Sequence, residues 1–212
     1  MTMPLDQALI HLASQSPRRR ELLDQLRLPF HPLSVAVDES PLHDDEAAEV
    51  LVLRLALAKA RAGWEQISER WPLPVLAADT VVVCAGRVLG KPRDADEAAA
   101  MLHALSGASH KVLTGVALVD DREASRLSVS TVTLRALHDQ DIRAYLRTDE
   151  PWDKAGAYAI QGLAAAFVAH LEGSYSGVMG LPLFEVSGLL DEFNIQYQQC
   201  WEAVRGQAGG RA

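Results

Sequence analysis

Ten residues constrain the fold more than any others in the chain: Val75-Leu76-Ala77-Ala78-Asp79-Thr80-Val81-Val82-Val83-Cys84. Apart from Asp79 and Thr80 the run is apolar without alternation. Such a run reads as a strand buried on both faces, so the sheet that holds it must be covered by helices on both sides. The exception inside the run is Asp79. A lone carboxylate there costs several kcal/mol unless it is paired, protonated or bound to a metal. Asp79 is therefore either a hydrogen-bonded structural aspartate at a strand bulge or a group with chemical work. The polar Thr80 and the nearby Gly90-Lys91-Pro92 favour the second reading. Ala85-Gly86 predicts a hairpin turn that folds Arg87-Val88-Leu89 back and brings Lys91 near the level of Asp79.

The other telling stretch is Leu12 to Leu23, LASQSPRRRELL. An apolar strand from Ala8 to Ala13 runs into a helix with Ser16 at its N-cap and Pro17 as its first residue. Open N–H groups at a helix start bind anions. Arg18, Arg19 and Arg20 fall in the first turn, where positive charge opposes the helix dipole. Either nearby carboxylates pair with them or an external anion arrives, and phosphate matches the guanidinium fork.

The remaining elements follow in order. Leu28 to Pro32 is expected to close the first unit, and Leu33 to Val37 to form a strand ending in an acidic loop with Glu39. Asp44 or Asp45 is expected to cap a helix from about Ala47 to Ala62, stopped by Gly63. Lys59 shares a stripe with Leu51 and Leu55, and spacing alone favours a snorkelling lysine at its edge. A capping-box-like Asp94 and Glu97 open a helix over Ala95 to Leu105. Strands are expected at His110 to Val119 and Ser125 to Leu137, with Asp139 capping a helix over Ile142 to Arg147. Glu150 to Gly162 reads as a turn-rich stretch running into a strand, and Phe167 to Leu171 as another strand. Gly173 to Gly180 reads as a loop before a final helix that ends near Phe193. The histidines at 103, 110, 138 and 170 have no metal-ligand spacing. Residues 1–205 read as one domain with two lobes, and the tail from Gly206 as disordered.

Charge and composition narrow the function. A net charge of −8 argues against nonspecific binding of a nucleic-acid polymer, and no apolar stretch is long enough to span a bilayer. Two cysteines without metal spacing or a disulfide framework suit a reduced cytosol, and the N-terminus carries no signal-peptide pattern. Ser14, Arg18 and Arg19 as an anion cradle, with Lys59, Lys91, Glu39 and Asp79, suit metal-assisted hydrolysis of a phosphoanhydride. No Walker-type P-loop is present.

The motifs ASQSPRR, AADTVV, GKP, SGxxHxVxTGVAL, EPWDKAGAYAIQG and GSYSGVMGLPL, in this order from about residue 9 to 193, resemble the Maf family of nucleoside triphosphate pyrophosphatases. The resemblance implies an α/β fold of the Maf and inosine triphosphatase kind: an elongated, mixed, twisted sheet flanked by helices, with two lobes around a deep cleft. It implies a cytoplasmic enzyme, a homodimer, that releases diphosphate from a nucleoside triphosphate with Mg²⁺, Mn²⁺ or Co²⁺. By motif, Asp79 matches the family's proton acceptor, and Arg18, Thr80 and Gln161 match positions tied to substrate choice. Ser14, Arg19, Glu39, Lys59 and Lys91 match other cleft positions. Asp79, Lys59 and Lys91 are thereby expected to be catalytic. Ser14, Arg18, Arg19, Thr80 and Gln161 are expected to bind substrate, and Glu39 and Asp79 to hold the metal. The KAGAYAIQG form resembles the branch acting on dTTP and UTP. The alternatives are the same chemistry on methylated guanine nucleotides, or a nucleotide-binding regulator of septum formation with little turnover. One departure is Gly177, where many relatives carry a side chain such as Asn.

Overall fold

The computed structural model describes residues 8–43 and 45–202; the expectations for Asp44 as a cap, for the N-terminal segment and for the tail from Gly206 lie outside the described residues. In chain order the elements are β1 (Ile10–Ala13), α1 (Pro17–Gln25), β2 (Phe30–Leu33), α2 (Ala48–Ile67), β3 (Val75–Cys84), β4 (Arg87–Leu89), α3 (Ala95–Leu105), β5 (Ser109–Val119), β6 (Glu123–Leu134), α4 (Asp139–Tyr145), β7 (Val168–Glu172), α5 (Tyr175–Met179), α6 (Leu183–Glu192) and α7 (Gln199–Glu202). The strands form one seven-stranded mixed sheet in the order β2-β1-β3-β5-β6-β7, with β4 also paired to β3. β1 runs parallel to β2 and β3, and every other pairing is antiparallel.

β3 is buried on both faces, as its composition requires. Leu76 and Ala78 pack with Leu12, Leu23, Val116 and Leu189 under α1 and α6. Val75 and Ala77 pack on the opposite face with Ala56 and Ala60 of α2. Further along, Val81 joins Leu51 and Leu55 on the α2 side, while Val82 joins Leu102 and Leu105 of α3 on the other. Residues alternate between faces along a strand. Asp79 therefore faces α2, and Thr80 faces α1 and α5.

The edges of β3 position the site. One edge pairs with β5 without a break from Val75 to Val83, so Asp79 stands in regular strand and at no bulge. The other edge is shared by two short strands. β1 covers Val75 and Leu76, and β4 covers Val82 to Cys84. Among the described residues no strand pairs with Ala77 to Val81 on that side, and Asp79 and Thr80 lie in this gap.

Several boundaries differ from expectation. The strand expected over Leu33 to Val37 lies earlier, at Phe30 to Leu33. Pro32 is tolerated there because β2 is the sheet edge and needs no outward N–H. α2 starts at Ala48, with Ala47 and no aspartate at its N-cap, and continues through Gly63 to Ile67. Gly63 is a packing residue and no stop: a Cβ there would lie 2.8 Å from Val75 Cγ1. Residues 150–162 form consecutive 3₁₀ turns, Pro151–Asp153 and Ala155–Ala157, with no strand. The expected loop before α6 contains α5, where the Ser174 hydroxyl caps the helix by accepting the Gly177 N–H. α6 is followed by α7 and is not the final helix. β6 ends at Leu134, and α4 begins at Asp139, where Asp141 accepts the His138 backbone N–H.

Gly115 sits opposite Asp79 in the β3–β5 pair. A Cβ at Gly115 would lie 2.4 Å from the Val52 carbonyl oxygen, so only glycine lets α2 approach the sheet this closely. Gly115→Ala is expected to cost about 3 kcal/mol or more in urea unfolding, because the clash is with backbone. Gly188→Ala, at an exposed α6 position with open space around it, is expected to gain about 0.5–1 kcal/mol. Equal stabilities would contradict the close approach.

His110 is buried and shares a 2.8 Å hydrogen bond with the Tyr158 hydroxyl. Burial brings its pKa down from 6.5 to about 4. The neutral imidazole is thus favoured by folding; its contribution is complete above about pH 6.5 and is lost as pH falls towards 4. Urea titrations between pH 7 and 4 are expected to show an acid-induced loss of about 3 kcal/mol that is absent from His110→Gln. Parallel pH profiles for the two proteins would refute it.

Candidate active site

A cavity of about 770 Å³ opens at the gap in the β3 edge. Its walls include all nine residues singled out in the sequence: Ser14, Arg18, Arg19, Glu39, Lys59, Asp79, Thr80, Lys91 and Gln161. Arg20, third in the arginine run, is not among the lining residues.

Lys59 lies two turns beyond Val52 on α2 and projects at the sheet. Its ammonium is 2.7 Å from Asp79 Oδ1 and 2.6 Å from Glu39 Oε1. The expectation of a snorkelling lysine is overturned. Its side chain is only 13% exposed, because two carboxylates give the ammonium a better partner than water. The hydrogen bond from Lys59 holds the Glu39 carboxyl below its usual range despite partial burial, and the charge of Lys91 acts in the same direction. Among the described residues the hydrogen bond from Lys59 engages Asp79 Oδ1 and none engages Oδ2.

The anion cradle is built from the turn between β1 and α1. Ser14 Oγ accepts the Ser16 backbone N–H at 3.2 Å and faces Arg19 Nη1 at 3.4 Å. The Ser16 side chain makes no cap. Arg19 donates Nε–H to the Gly180 carbonyl at 2.8 Å, and Nη2 lies 3.4 Å from Thr80 Oγ1. Burial pulls the Arg19 guanidinium below its ordinary pKa, and the charge of Asp79 pulls the other way. Arg18 pairs with Asp153 at 2.9 Å, which Lys154 also contacts. The cradle is thereby tied to the turns that carry Gln161. Gln161 itself lines the cavity with its amide unpaired among the described residues.

Three supporting groups escaped sequence reasoning. Thr114 Oγ1 is 2.9 Å from Thr80 Oγ1 and donates to the Gly177 carbonyl at 2.8 Å. Glu150 accepts from Leu163 N at 2.7 Å, Ala164 N at 3.1 Å and Tyr145 Oη at 2.8 Å, so it folds the Gln161 turn around its carboxylate. Asp153 holds Arg18. The signal for Thr114 existed as a polar residue in an apolar strand, but its partner depends on register. Gly177, the noted departure, is buried: a Cβ there would lie 3.0 Å from Ser174 Cβ and 3.1 Å from Ser128 Oγ.

No cluster of three or more His, Cys, Asp or Glu side chains among the described residues could hold a metal. The donor set nonetheless fits a hard divalent cation of the Mg²⁺ kind. Such ions take one or two carboxylates and complete their shell with water and phosphate oxygens. Glu39 and Asp79 supply two carboxylates that converge on a single ammonium.

Known proteins resemble this chain along most of its length. Residues 9–193 match the family described as Maf-like protein. A dTTP/UTP pyrophosphatase of Alkalilimnicola ehrlichii is 60% identical over 195 residues, covering 91% of this chain and 96% of that protein. A dTTP/UTP pyrophosphatase of Aromatoleum aromaticum is 52% identical over 200 residues, covering 88% and 96%. Another from Escherichia coli is 50% identical over 186 residues, covering 87% and 93%. A solved HAM1 protein from Coxiella burnetii overlaps with a TM-score of 0.41 at 21% identity, covering 60% of this chain and 73% of that one, too loosely to bear on the site. Matched by the family from residue 9 to 193 and more than half identical to relatives in it, this chain belongs to the Maf family.

Proposed function

We propose that the protein is a nucleoside triphosphate pyrophosphatase that hydrolyses dTTP and UTP to the monophosphate and diphosphate. The observation that carries the reading is Asp79: a carboxylate in the middle of a buried strand, held by Lys59 and opening on a cavity with a basic cradle. The activity named for the similar proteins of A. ehrlichii and E. coli points to the same substrates.

The chain's own groups divide the work. Ser14 and Arg19, with the open N–H groups at the start of α1, hold phosphate oxygens. Arg18 and Lys91 add charge where diphosphate leaves, as the cleaved bond between the α and β phosphates gives its electrons to the departing oxygen. Asp79 takes the proton of the attacking water at Oδ2, while Lys59 keeps Oδ1 engaged and the carboxylate oriented. Glu39 and Asp79 would hold a divalent cation that neutralises phosphate charge and acidifies a water. Gln161 offers an amide donor and acceptor to the polar edge of a pyrimidine.

Diphosphate release from a nucleotide panel with Mg²⁺ tests this. The wild type is expected to turn over dTTP and UTP, and Asp79→Asn, folded, to lose about 10²-fold or more in kcat. Nucleotide binding without turnover by the wild type would point to a regulator, and turnover of methylated guanine nucleotides alone would overturn the base assignment. Chelation with EDTA is expected to abolish turnover and added Mg²⁺ to restore it. Gln161→Ala is expected to raise KM for UTP about tenfold with kcat little changed, the signature of one lost neutral hydrogen bond.

A further inference from the structure

Counting protons along one hydroxyl chain fixes what Thr80 can offer a ligand. Two oxygen–oxygen contacts run in series, Thr80 Oγ1 to Thr114 Oγ1 at 2.9 Å and Thr114 Oγ1 to the Gly177 carbonyl at 2.8 Å. Each needs one proton between its oxygens. The carbonyl has none to give, so the Thr114 proton lies towards Gly177. The Thr80 proton must then lie towards Thr114. Thr114 is 1% exposed, so its proton stays with the Gly177 carbonyl. Arg19 Nη2 approaches Thr80 Oγ1 as a donor at 3.4 Å and takes one lone pair. What remains to Thr80 at the cavity is a single acceptor position and no proton.

A hydroxyl is ordinarily ambivalent, and so is an amide. Gln161 can present its oxygen or its NH₂ by turning over, so it suits either kind of pyrimidine edge. A hydroxyl whose proton is committed is no longer ambivalent. We infer that Thr114 is a positioning residue that locks Thr80 as an acceptor, so that Thr80 selects a base carrying a ring N–H and rejects one carrying a ring acceptor there. Uracil and thymine present N3–H. Cytosine presents a bare N3, whose lone pair would face that of Thr80. The inference rests on the proposed pyrimidine triphosphate activity and adds the source of its discrimination. A site that hydrogen-bonds a substrate N–H rejects the analogue lacking it because its own buried partner is then left unpaired.

The test is the ratio of kcat/KM for UTP to that for CTP, with Mg²⁺, in wild type, Thr114→Val and Thr114→Ser. Valine keeps the shape and removes the hydroxyl, which frees the Thr80 proton to turn into the cavity. The wild type is expected to prefer UTP. Thr114→Val is expected to lower that preference about tenfold, through a lower KM for CTP and a higher KM for UTP, with kcat for UTP within a few-fold. Thr114→Ser is expected to restore the wild-type ratio. A structural effect alone would move both substrates together and leave the ratio in place. A folded Thr114→Val with the wild-type ratio overturns the inference, as does a wild type that uses CTP as well as UTP; both leave the proposed activity standing. A wild type that releases no diphosphate from UTP overturns both. Should Thr114→Val fail to fold, the wild type with N3-methyluridine triphosphate decides, since turnover equal to that of UTP overturns the inference and loss of turnover supports it.

Discussion

An ammonium meeting a carboxylate inside an apolar sheet is the interaction on which the rest of this structure depends. Asp79 lies between Ala78 and Thr80 in a strand whose other residues pack in cores on both faces. Without Lys59 that carboxylate would be an uncompensated charge at a nearly buried site, a defect that costs about 3–5 kcal/mol. The pair exists because α2 lies close enough for a lysine stem to reach the strand, and α2 lies that close because Gly115 has no side chain beneath Val52. Stability and chemistry are linked here through one contact. The glycine sets the distance, and the lysine meets the acid with an opposite charge at the wall of the cavity.

The geometry also explains how one strand presents two polar side chains to one cavity. Along β3, Asp79 faces α2 and Thr80 faces α1 and α5. In a fully paired strand the two would be separated by the sheet itself. The edge between β1 and β4 is open at this point, so both faces reach the same cavity. The Asp79 carboxylate and the Thr80 hydroxyl thus reach one cavity from opposite sides of one backbone, one residue apart. Adjacent residues cannot shift independently, so the spacing between the Asp79 carboxylate and the Thr80 hydroxyl is held by the covalent chain and by the unbroken pairing with β5.

Much of this was legible from residue types, and what was not has a common cause. The β3 strand, the turn into α1, the hairpin at Ala85-Gly86 and the cap at Asp94 each follow from local chemistry, and each stands where the residues place it. Nine residues chosen from motif and charge line one cavity. The errors arose where a residue's partner is distant in sequence. Lys59 reads as an edge lysine until Glu39 and Asp79 are brought to it, and Gly63 reads as a helix stop until Val75 is packed beneath it. Pro32 breaks a central strand but not an edge strand, and strand order cannot be read from five residues. Thr114 matters because register places it opposite Thr80.

The turn carrying Gln161 shows the same logic on the other wall. It has no strand to hold it, so its backbone N–H groups need partners from elsewhere, and an unmet buried donor would let the turn drift. The Glu150 carboxylate accepts two of them, from Leu163 and Ala164, and the Tyr145 hydroxyl accepts a third, from Ala159, while donating its own proton to Glu150. Burial and this bond raise the Tyr145 hydroxyl above its ordinary pKa, so it remains a donor. Gly162 completes the arrangement, because a Cβ there would lie 2.1 Å from a Glu150 oxygen. The Glu150 carboxylate is turned inward, and its negative charge serves backbone amides. Two carboxylates in one protein thus take different roles for a physical reason: Asp79 has an oxygen left over for the cavity, and Glu150 spends both of its oxygens on the fold.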